Sequence, residues 1–447
     1  MNLGLGAGRE VTVIGAGFSG LVSAYALNRA GYKVSIIEAS QRAGGLIDTV
    51  RLEEGLVETA ANALLNSSAV EELFEAVGLD QYGTLGAAKK RYIFKQGRAR
   101  RWPLSFGGTL KVLWFGFKYL TSKAAVAPKK GESARAWSER VMGAEAGEYL
   151  VEAALQGIYA GDPARMSASL IFARMFEPKS AAVLRSAGMS GSLPGGVSSL
   201  APRHTPPHNI KMKRAKLKGS VAPGEGMGQL IAALETFLKK RGVEFRFGQS
   251  AELNSEPLHP HVLATSAHAA GSVLQTISET RASILRRIEF SPVTTTTAFF
   301  SGTDRKSKGF GVLFPPVEKR KALGVLKNNF IFRNRVKKGF SETWIIGGAL
   351  DQTRVIGATD EEILERIQSE RSASFGRDDE IYASRTTRWP KGIPHYTLEL
   401  EQEIGRLQGF EKNVILMGNY LGEIGLAKIL DRALRLPLQI SQGGKWL

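Results

Sequence analysis

The sequence predicts an α/β fold with a separate β-rich region and a helical region set inside it. Three observations carry this. Residues 11–38 read strand, glycine-rich turn, helix, strand. Residues 413–427 read strand, turn, helix. Between them, short β-branched and aromatic runs at 294–300, 311–315, 323–325 and 343–348 follow a stretch, 104–175, of mostly helical period. A region rich in Gly, Pro and Ser, 188–226, reads as loop.

The chain has 447 residues, enough for two or three domains, and 43% hydrophobic with 23% charged residues is the balance of a soluble protein with a sizeable core. No window of 18 or more apolar residues occurs, so a bilayer-spanning helix is not expected. No charged leader followed by an apolar stretch precedes the first strand, so a cytoplasmic location is the default expectation. The absence of cysteine excludes disulfides, thiolate metal sites, a thiol nucleophile and a cofactor attached through sulfur. Six histidines without metal-ligand spacing give no reason to expect a metal. His259, His261, His268 and His395 read as ordinary polar positions.

Charge is the unusual property. The net +18 is concentrated: residues 86–140 hold 14 Lys/Arg against Glu132 and Glu139 alone, and residues 203–222 add six cations and no acid. These two stretches account for the whole excess. So local a field describes one partner surface, either an anionic membrane or nucleic acid. The basic stretch matches no nucleic-acid module, so no nucleic-acid partner is expected.

Within the first unit, Val11–Ile14 is a buried strand that runs into Gly15-Ala16-Gly17-Phe18-Ser19-Gly20. Leu21, Ala24, Leu27 and Ala30 recur at helical spacing, and Gly31 ends the helix. A second strand, Lys33–Ile37, ends at Glu38. The spacing assigns each glycine its own role. Gly15 makes the tight turn, Gly17 lets a pyrophosphate come close, and Gly20 allows close contact of helix and strand. Glu38, followed by Ala39, is placed to accept hydrogen bonds from a ribose. Gly4, Gly6 and Gly8 precede the strand and read as a flexible terminus.

Arg42 with Gly44 and Gly45 completes Glu-x-x-x-Arg-x-Gly-Gly, followed by Thr49. A second close backbone approach plus a cation suits FAD better than NAD. Near the carboxy terminus the strand Asn413–Met417 leads through Gly418-Asn419 and Gly422-Glu-Ile424-Gly425-Leu426 into a helix from about Ala427. The partial positive charge of that helix start suits the N1/O2 edge of a reduced flavin. No second GxGxxG follows a strand, so a nicotinamide domain is not expected.

These motifs resemble the flavin-containing amine oxidase superfamily. Within it, Gly157-Ile-Tyr-Ala-Gly-Asp-Pro163, Gly309-Phe-Gly-Val-Leu-Phe-Pro315, His261–Ala267 and Ile393-Pro-His-Tyr396-Thr are similar to stretches of the oxygen-dependent protoporphyrinogen oxidase family. The resemblance implies a doubly wound FAD-binding domain of discontinuous segments (1–80, 222–270 and 405–447), an antiparallel-sheet substrate domain (271–404) and a helical, basic, membrane-contacting domain (81–205). It implies non-covalent FAD, oxidation of protoporphyrinogen IX or coproporphyrinogen III to the porphyrin of haem biosynthesis by hydride transfer to the flavin, oxygen or another electron acceptor, and a homodimer. No catalytic acid or base is expected, because the cofactor carries the chemistry and the protein orients and encloses.

Residue by residue, the resemblance places Arg91 on a substrate propionate, with Gly324 and Leu326 also at the substrate. A guanidinium binds a carboxylate through two parallel bonds, roughly 1.5–3 kcal/mol as charged hydrogen bonds. Ala60, Ala61, Asn62 and Ala63 correspond to backbone laid along the isoalloxazine, with Ala60-Ala61 where the family has Gly-Pro. Trp389 corresponds to a flavin-edge position, or is a core aromatic. Ala251 falls where the backbone meets adenine. Asn419, Ile424, Gly425 and Leu426 belong to the second flavin contact, after which Ala427-Lys428 replaces the family's Asn-Asp. Lys428 either favours the reduced flavin anion or faces solvent.

Residues 104–120 hold ten large apolar residues among 17, interrupted by Lys111 and Lys118. This suits a helix lying in a membrane interface, with lysine stems reaching the headgroups, and a peripherally membrane-associated protein. A core or dimer-contact helix is the alternative. Two other functions fit the same motifs: a carotenoid-type desaturase or amine oxidase of the superfamily, and a flavin-binding membrane adaptor without turnover. An amine substrate prefers an aromatic cage, for which Trp389 and Tyr396 are the candidates.

Overall fold

The computed structural model describes residues 6, 8–176, 217–304, 308–351 and 356–442. Most of the expected 188–226 loop, the cations of the second basic stretch before Lys218, and Gly4 lie outside the described residues.

A six-stranded sheet organises the first core. Its strands lie in the order Glu244–Phe247, Lys33–Glu38, Glu10–Ile14, His261–Leu263, Val414–Leu416 and Phe410–Glu411. The first five run parallel, and the last returns antiparallel. Three distant stretches of sequence thus share one sheet. The central strands Lys33–Glu38, Glu10–Ile14, His261–Leu263 and Val414–Leu416 are rich in Val, Ile and Leu, as suits strands covered on both faces. Phe18–Arg29 buries Phe18 and Gly20–Leu27. With Met227–Lys240 and Leu426–Ala433 it forms the largest hydrophobic cluster. Gly6 departs from the flexible terminus expected: it is buried, its N–H donates to Ala30 O, and a Cβ there would strike the Tyr32 ring.

A seven-stranded sheet organises the second core. The order is Ile381–Pro394, Phe290–Phe300, Phe340–Gly347, Gly324–Lys327, Gly311–Leu313, Arg91–Lys95 and Arg98–Arg100, antiparallel except where Gly311–Leu313 meets Arg91–Lys95. Two strands exceed their expected lengths, and Ile381–Pro394 has no counterpart among the expected runs. Its Pro390 is tolerated because the strand lies at the sheet edge. The hairpin Arg91–Arg100 lies inside the stretch assigned to the helical region but extends this sheet, and the long helices start only at Phe106. Its dense cations obscure the alternation that buries Phe94 against Phe314.

One face of this sheet packs Val325, Trp344 and Ile346 against Ile363 and Ile367 of the Asp360–Phe375 helix. That face also buries a charge network, in which Lys327 pairs with Glu342 and Asp304, and Arg371 with Glu342. The opposite face carries Leu326 toward the first core.

The helical region holds Phe106–Thr121, Ala134–Met142, Ala153–Tyr159 and Ala168–Phe176. Ser105 and Ser133 cap the first two by accepting from Gly108 N and Ala136 N. The first, second and fourth share a core around Trp137, stacked on Phe172 at 4.4 Å, whereas Leu155 of the third packs with Ala134 and Met166.

Candidate functional site

The glycine-rich turn has the geometry its spacing implies. Gly15 takes φ +102 beside Ala264 O, and a Cβ on Gly20 would lie 1.8 Å from Gly15 O. Gly17 differs: its φ is −67, and a Cβ there would meet nothing nearer than Gly45 Cα at 3.9 Å. The space in front of Gly17 is therefore open, a cradle that a side chain would fill. Phe18 is buried and Ser19 half-buried in the first helical turn.

The Arg-x-Gly-Gly turn closes over this loop. Gly44 N donates to Ala16 O at 2.8 Å, and Gly17 and Gly44 form a bridge. Arg42 donates to Ala43 O and Gly45 O, holding the turn from its far side. Glu38 accepts from Ala16 N at 2.6 Å and Ser40 N at 2.8 Å, so its carboxylate stands at the mouth of the turn, next to exposed Ala39. Gly248 N and Gln249 N donate to Ser40 O and Glu38 O, which brings the chain leading to half-buried Ala251 alongside.

A second group lies along residues 59–63. Trp389 Nε1 donates to Thr59 O at 2.9 Å across 330 residues. None of residues 59–63 takes positive φ, so alanines fit at 60 and 61 without strain. Ala61 and Ala63 pack against the same core as Leu326, Phe310, Leu426 and Ala427. The Leu426–Ala433 helix begins at Gly425, with half-buried Ile424 before it and no side-chain cap. Its first turn thus keeps donors for a ligand. Lys428 sits half-buried in that turn.

Three of the motifs meet behind this helix. Asp162 N donates to His395 Nε2 at 3.1 Å, Ser167 N to Tyr396 O, and Tyr396 Oη to Asn419 O. His395 is buried rather than an ordinary surface polar group, and burial lowers its imidazole below the ordinary value, which keeps Nε2 an acceptor. Tyr396 is fully buried with its ring on Tyr159, so it faces the core and does not form one wall of a cage with Trp389.

The seven-stranded sheet supplies a wall. Arg91 pairs with Gly311, Gly311 with Leu326, Leu326 with Thr343 and Thr343 with Thr297, one row across five strands. Gly324 lies two residues along, on the same face as Leu326. The Arg91 guanidinium lies 4.6 Å over the Phe310 ring, and its side chain is exposed.

One cluster gave no signal in the sequence. Glu58 accepts from Thr49 Oγ1, Met227 N and Arg335 Nη1. Burial pushes the Glu58 carboxyl up, against the pull of Arg335. Arg335 Nη2 is buried and has no hydrogen-bond partner among the described residues.

These features fit FAD: an open pyrophosphate cradle at Gly17, an acid beside it, an uncapped helix start and an orphaned buried donor.

The family model described as flavin containing amine oxidoreductase matches residues 18–252. The chain is similar to the chloroplastic protoporphyrinogen oxidase of Nicotiana tabacum, 23% identical over 479 residues that cover 97% of this chain and 85% of that one. Among solved structures it is similar to a candidate protoporphyrinogen oxidase of Exiguobacterium sp. 255-15 (TM-score 0.72, 16% identity, 98% and 99% of the two chains). It is also similar to cyclohexylamine oxidase of Brevibacterium oxydans (TM-score 0.69, 15% identity, 97% and 99%). The structural likenesses speak for the fold, which both enzymes share.

Proposed function

The chain belongs to the flavin-containing amine oxidoreductase family and is an FAD-dependent oxidoreductase; on that premise we propose that it dehydrogenates a porphyrinogen, protoporphyrinogen IX or coproporphyrinogen III, to the porphyrin. The observation that carries this is the row in which exposed Arg91 and apolar Leu326 flank Gly311. A carboxylate anchor beside an apolar wall complements a hydrophobic macrocycle that carries propionates. A hydrocarbon substrate would leave that guanidinium nothing to pair with, and the burial of Tyr396 removes half of the cage that an amine would want.

When bound, FAD would accept one hydride from substrate carbon in each two-electron step while the substrate also releases one proton, so that three such steps, with oxygen or another electron acceptor reoxidising the flavin between them, would remove six hydrogens. Arg91 holds a propionate and fixes which edge of the macrocycle enters. Leu326 and Phe310 exclude water from its apolar body. Residues 59–63, tied by Trp389, and the Gly425 helix start fix the cofactor against this wall. The decisive experiment is anaerobic addition of each porphyrinogen to the purified yellow protein. Bleaching of the flavin absorbance and appearance of porphyrin fluorescence are expected. A flavin that either porphyrinogen leaves oxidised, but that an amine reduces, would replace this reading by amine oxidation.

We propose further that the Phe106–Thr121 helix docks on an anionic membrane. Phe106, Leu110, Leu113, Trp114, Phe117 and Leu120 are exposed on one side of it, Phe106 and Leu120 by 82% and 84%. The opposite side packs Val112 and Phe115 on Trp137. Lys118 lies over the Trp114 ring, an aromatic and cationic edge suited to headgroups. No helix among the described residues is long and apolar enough to cross a membrane; the contact we propose is peripheral.

A further inference from the structure

Arg335 is the buried cation that the fold uses only in part. It lies between the Asn328–Ile331 helical turn and the Phe340–Gly347 strand, where its own carbonyl accepts from Leu56 N and Val336 bridges Gly55. These contacts pin its backbone to the hairpin that leads into residues 59–63. Its side chain is 6% exposed. Nη1 is committed to Glu58, which Thr49 and Met227 N hold in turn. Nη2 has no hydrogen-bond partner among the described residues, and an unmatched buried donor is unfavourable.

The space beside it is small and polar. Arg335, Glu58, Asn62, Asn328 and Thr343 line a cavity of about 10 Å³. That is the lower limit for one water, which also needs two or more polar partners. On the sheet side Asn328 Oδ1 already accepts from the Thr343 hydroxyl, Asn328 Nδ2 donates to Ser341 and Thr343, and the Thr343 hydroxyl is shared with Thr297. Asn62, which lines the same cavity, belongs to the stretch along which the isoalloxazine is proposed to lie.

We propose that Arg335 is a positioning residue for the cofactor, its Nη2 donating to a ring acceptor on the polar edge of the isoalloxazine, with Glu58 aiming the guanidinium. The inference rests on the flavoenzyme reading and on the assignment of residues 60–63 to the ring. Only the polar edge of the ring offers acceptors; the dimethylbenzene edge has none. With Nη2 so paired, the polar edge of the ring would be the one that faces Arg335.

The test uses apoprotein and FAD without turnover. For Arg335→Lys, which keeps the charge near Glu58 but removes Nη2, the apoprotein is expected to melt within a few degrees of wild type. Its FAD dissociation constant, read from flavin fluorescence quenching, is expected to rise about 10- to 100-fold, with a shifted flavin absorption maximum. A variant that binds FAD as wild type does, with a lowered apoprotein Tm, would show an ion pair of structure alone and overturn the inference. Should Arg335→Lys fail to fold, the double variant Glu58→Gln/Arg335→Gln removes both buried charges together, and the same rise in its FAD dissociation constant is required. A folded wild-type protein that bound no FAD would overturn the flavoenzyme reading itself, a result distinct from normal wild-type binding with an indifferent variant.

Discussion

Arg91 and Leu326 stand two strands apart on one row of the seven-stranded sheet, with Gly311 between them. At the usual strand spacing their backbones are about 10 Å apart, and the intervening position has no side chain. A Cβ on Gly311 would lie 2.1 Å from Val325 O, so the gap is enforced by the backbone beneath it. Cation and leucine thus border one shallow trough, whose floor no ordinary residue could fill.

The trough makes Arg91 testable. Arg91→Ala is expected to raise KM for a propionate-bearing porphyrinogen by about 10- to 100-fold, the worth of a charged hydrogen-bond pair. Flavin content should not change, since Arg91 lies in the seven-stranded sheet and not in the one that carries the glycine-rich turn. Steady-state kinetics with parallel flavin quantitation decide it, and an unaltered KM would take Arg91 out of the site.

The two inner glycines of the turn should respond differently. Gly17→Ala meets no steric obstacle and needs no positive φ, so its apoprotein is expected to unfold within about 0.5 kcal/mol of wild type while FAD is lost from the filled cradle. Gly20→Ala drives a Cβ into Gly15 O and should lower the stability of the apoprotein itself. Thermal melts of apoprotein alongside flavin content separate the two, and a yellow Gly17→Ala protein would contradict the cradle.

Removal of exposed apolar groups from the Phe106–Thr121 helix should leave the fold intact and weaken membrane contact. Leu113→Ala/Trp114→Ala discards side chains that touch little of the helical core but would bury roughly 1.5–3 kcal/mol each in an interface. In vesicle flotation with anionic lipid at low salt, a partition loss of tenfold or more is expected. Wild-type protein that stays with the soluble fraction under those conditions would refute the docking proposal.

Glu145 couples that helix to the sheet and brings a pH dependence. It accepts from Lys95 Nζ at 2.6 Å and from Ser105 Oγ and N, so Lys95 and then Ser105 hold its carboxyl at about 2. The folded value lies below the unfolded one of 4.5. The stabilisation is therefore complete above the unfolded value and fades as pH falls toward about 2. Glu145→Gln is expected to cost about 1–2 kcal/mol at neutral pH, a figure already lowered for partial exposure. The difference from wild type should close in denaturant unfolding between pH 4.5 and 2. A constant difference across that range would rule the carboxylate out as its source.

Much of the candidate cofactor site was legible because its information is local. Gly15, Gly17, Gly20, Glu38, Arg42, Gly44 and Gly45 lie within 31 consecutive residues, and the backbone geometry that a turn demands restricts residue type at fixed offsets. The hairpin Arg91–Arg100 was less so. Its cations sit on an exposed edge and hide the alternation of the strand, and the register that places Arg91 beside Leu326 follows from pairing with strands more than 200 residues away.

By itself the sequence determined a dinucleotide-type α/β unit at one end of the chain, a matching strand, turn and helix at the other, a basic apolar stretch between, and no thiol chemistry anywhere. Tertiary structure alone decided that Trp389 closes on Thr59, that Tyr396 turns inward onto Asn419, and that Glu58 takes one arm of Arg335 across 277 residues. The reason is physical: backbone turns constrain neighbours in sequence, whereas a buried hydrogen bond between distant segments leaves no periodicity or spacing behind. It exists only once two cores have packed and excluded the water that would otherwise serve as partner.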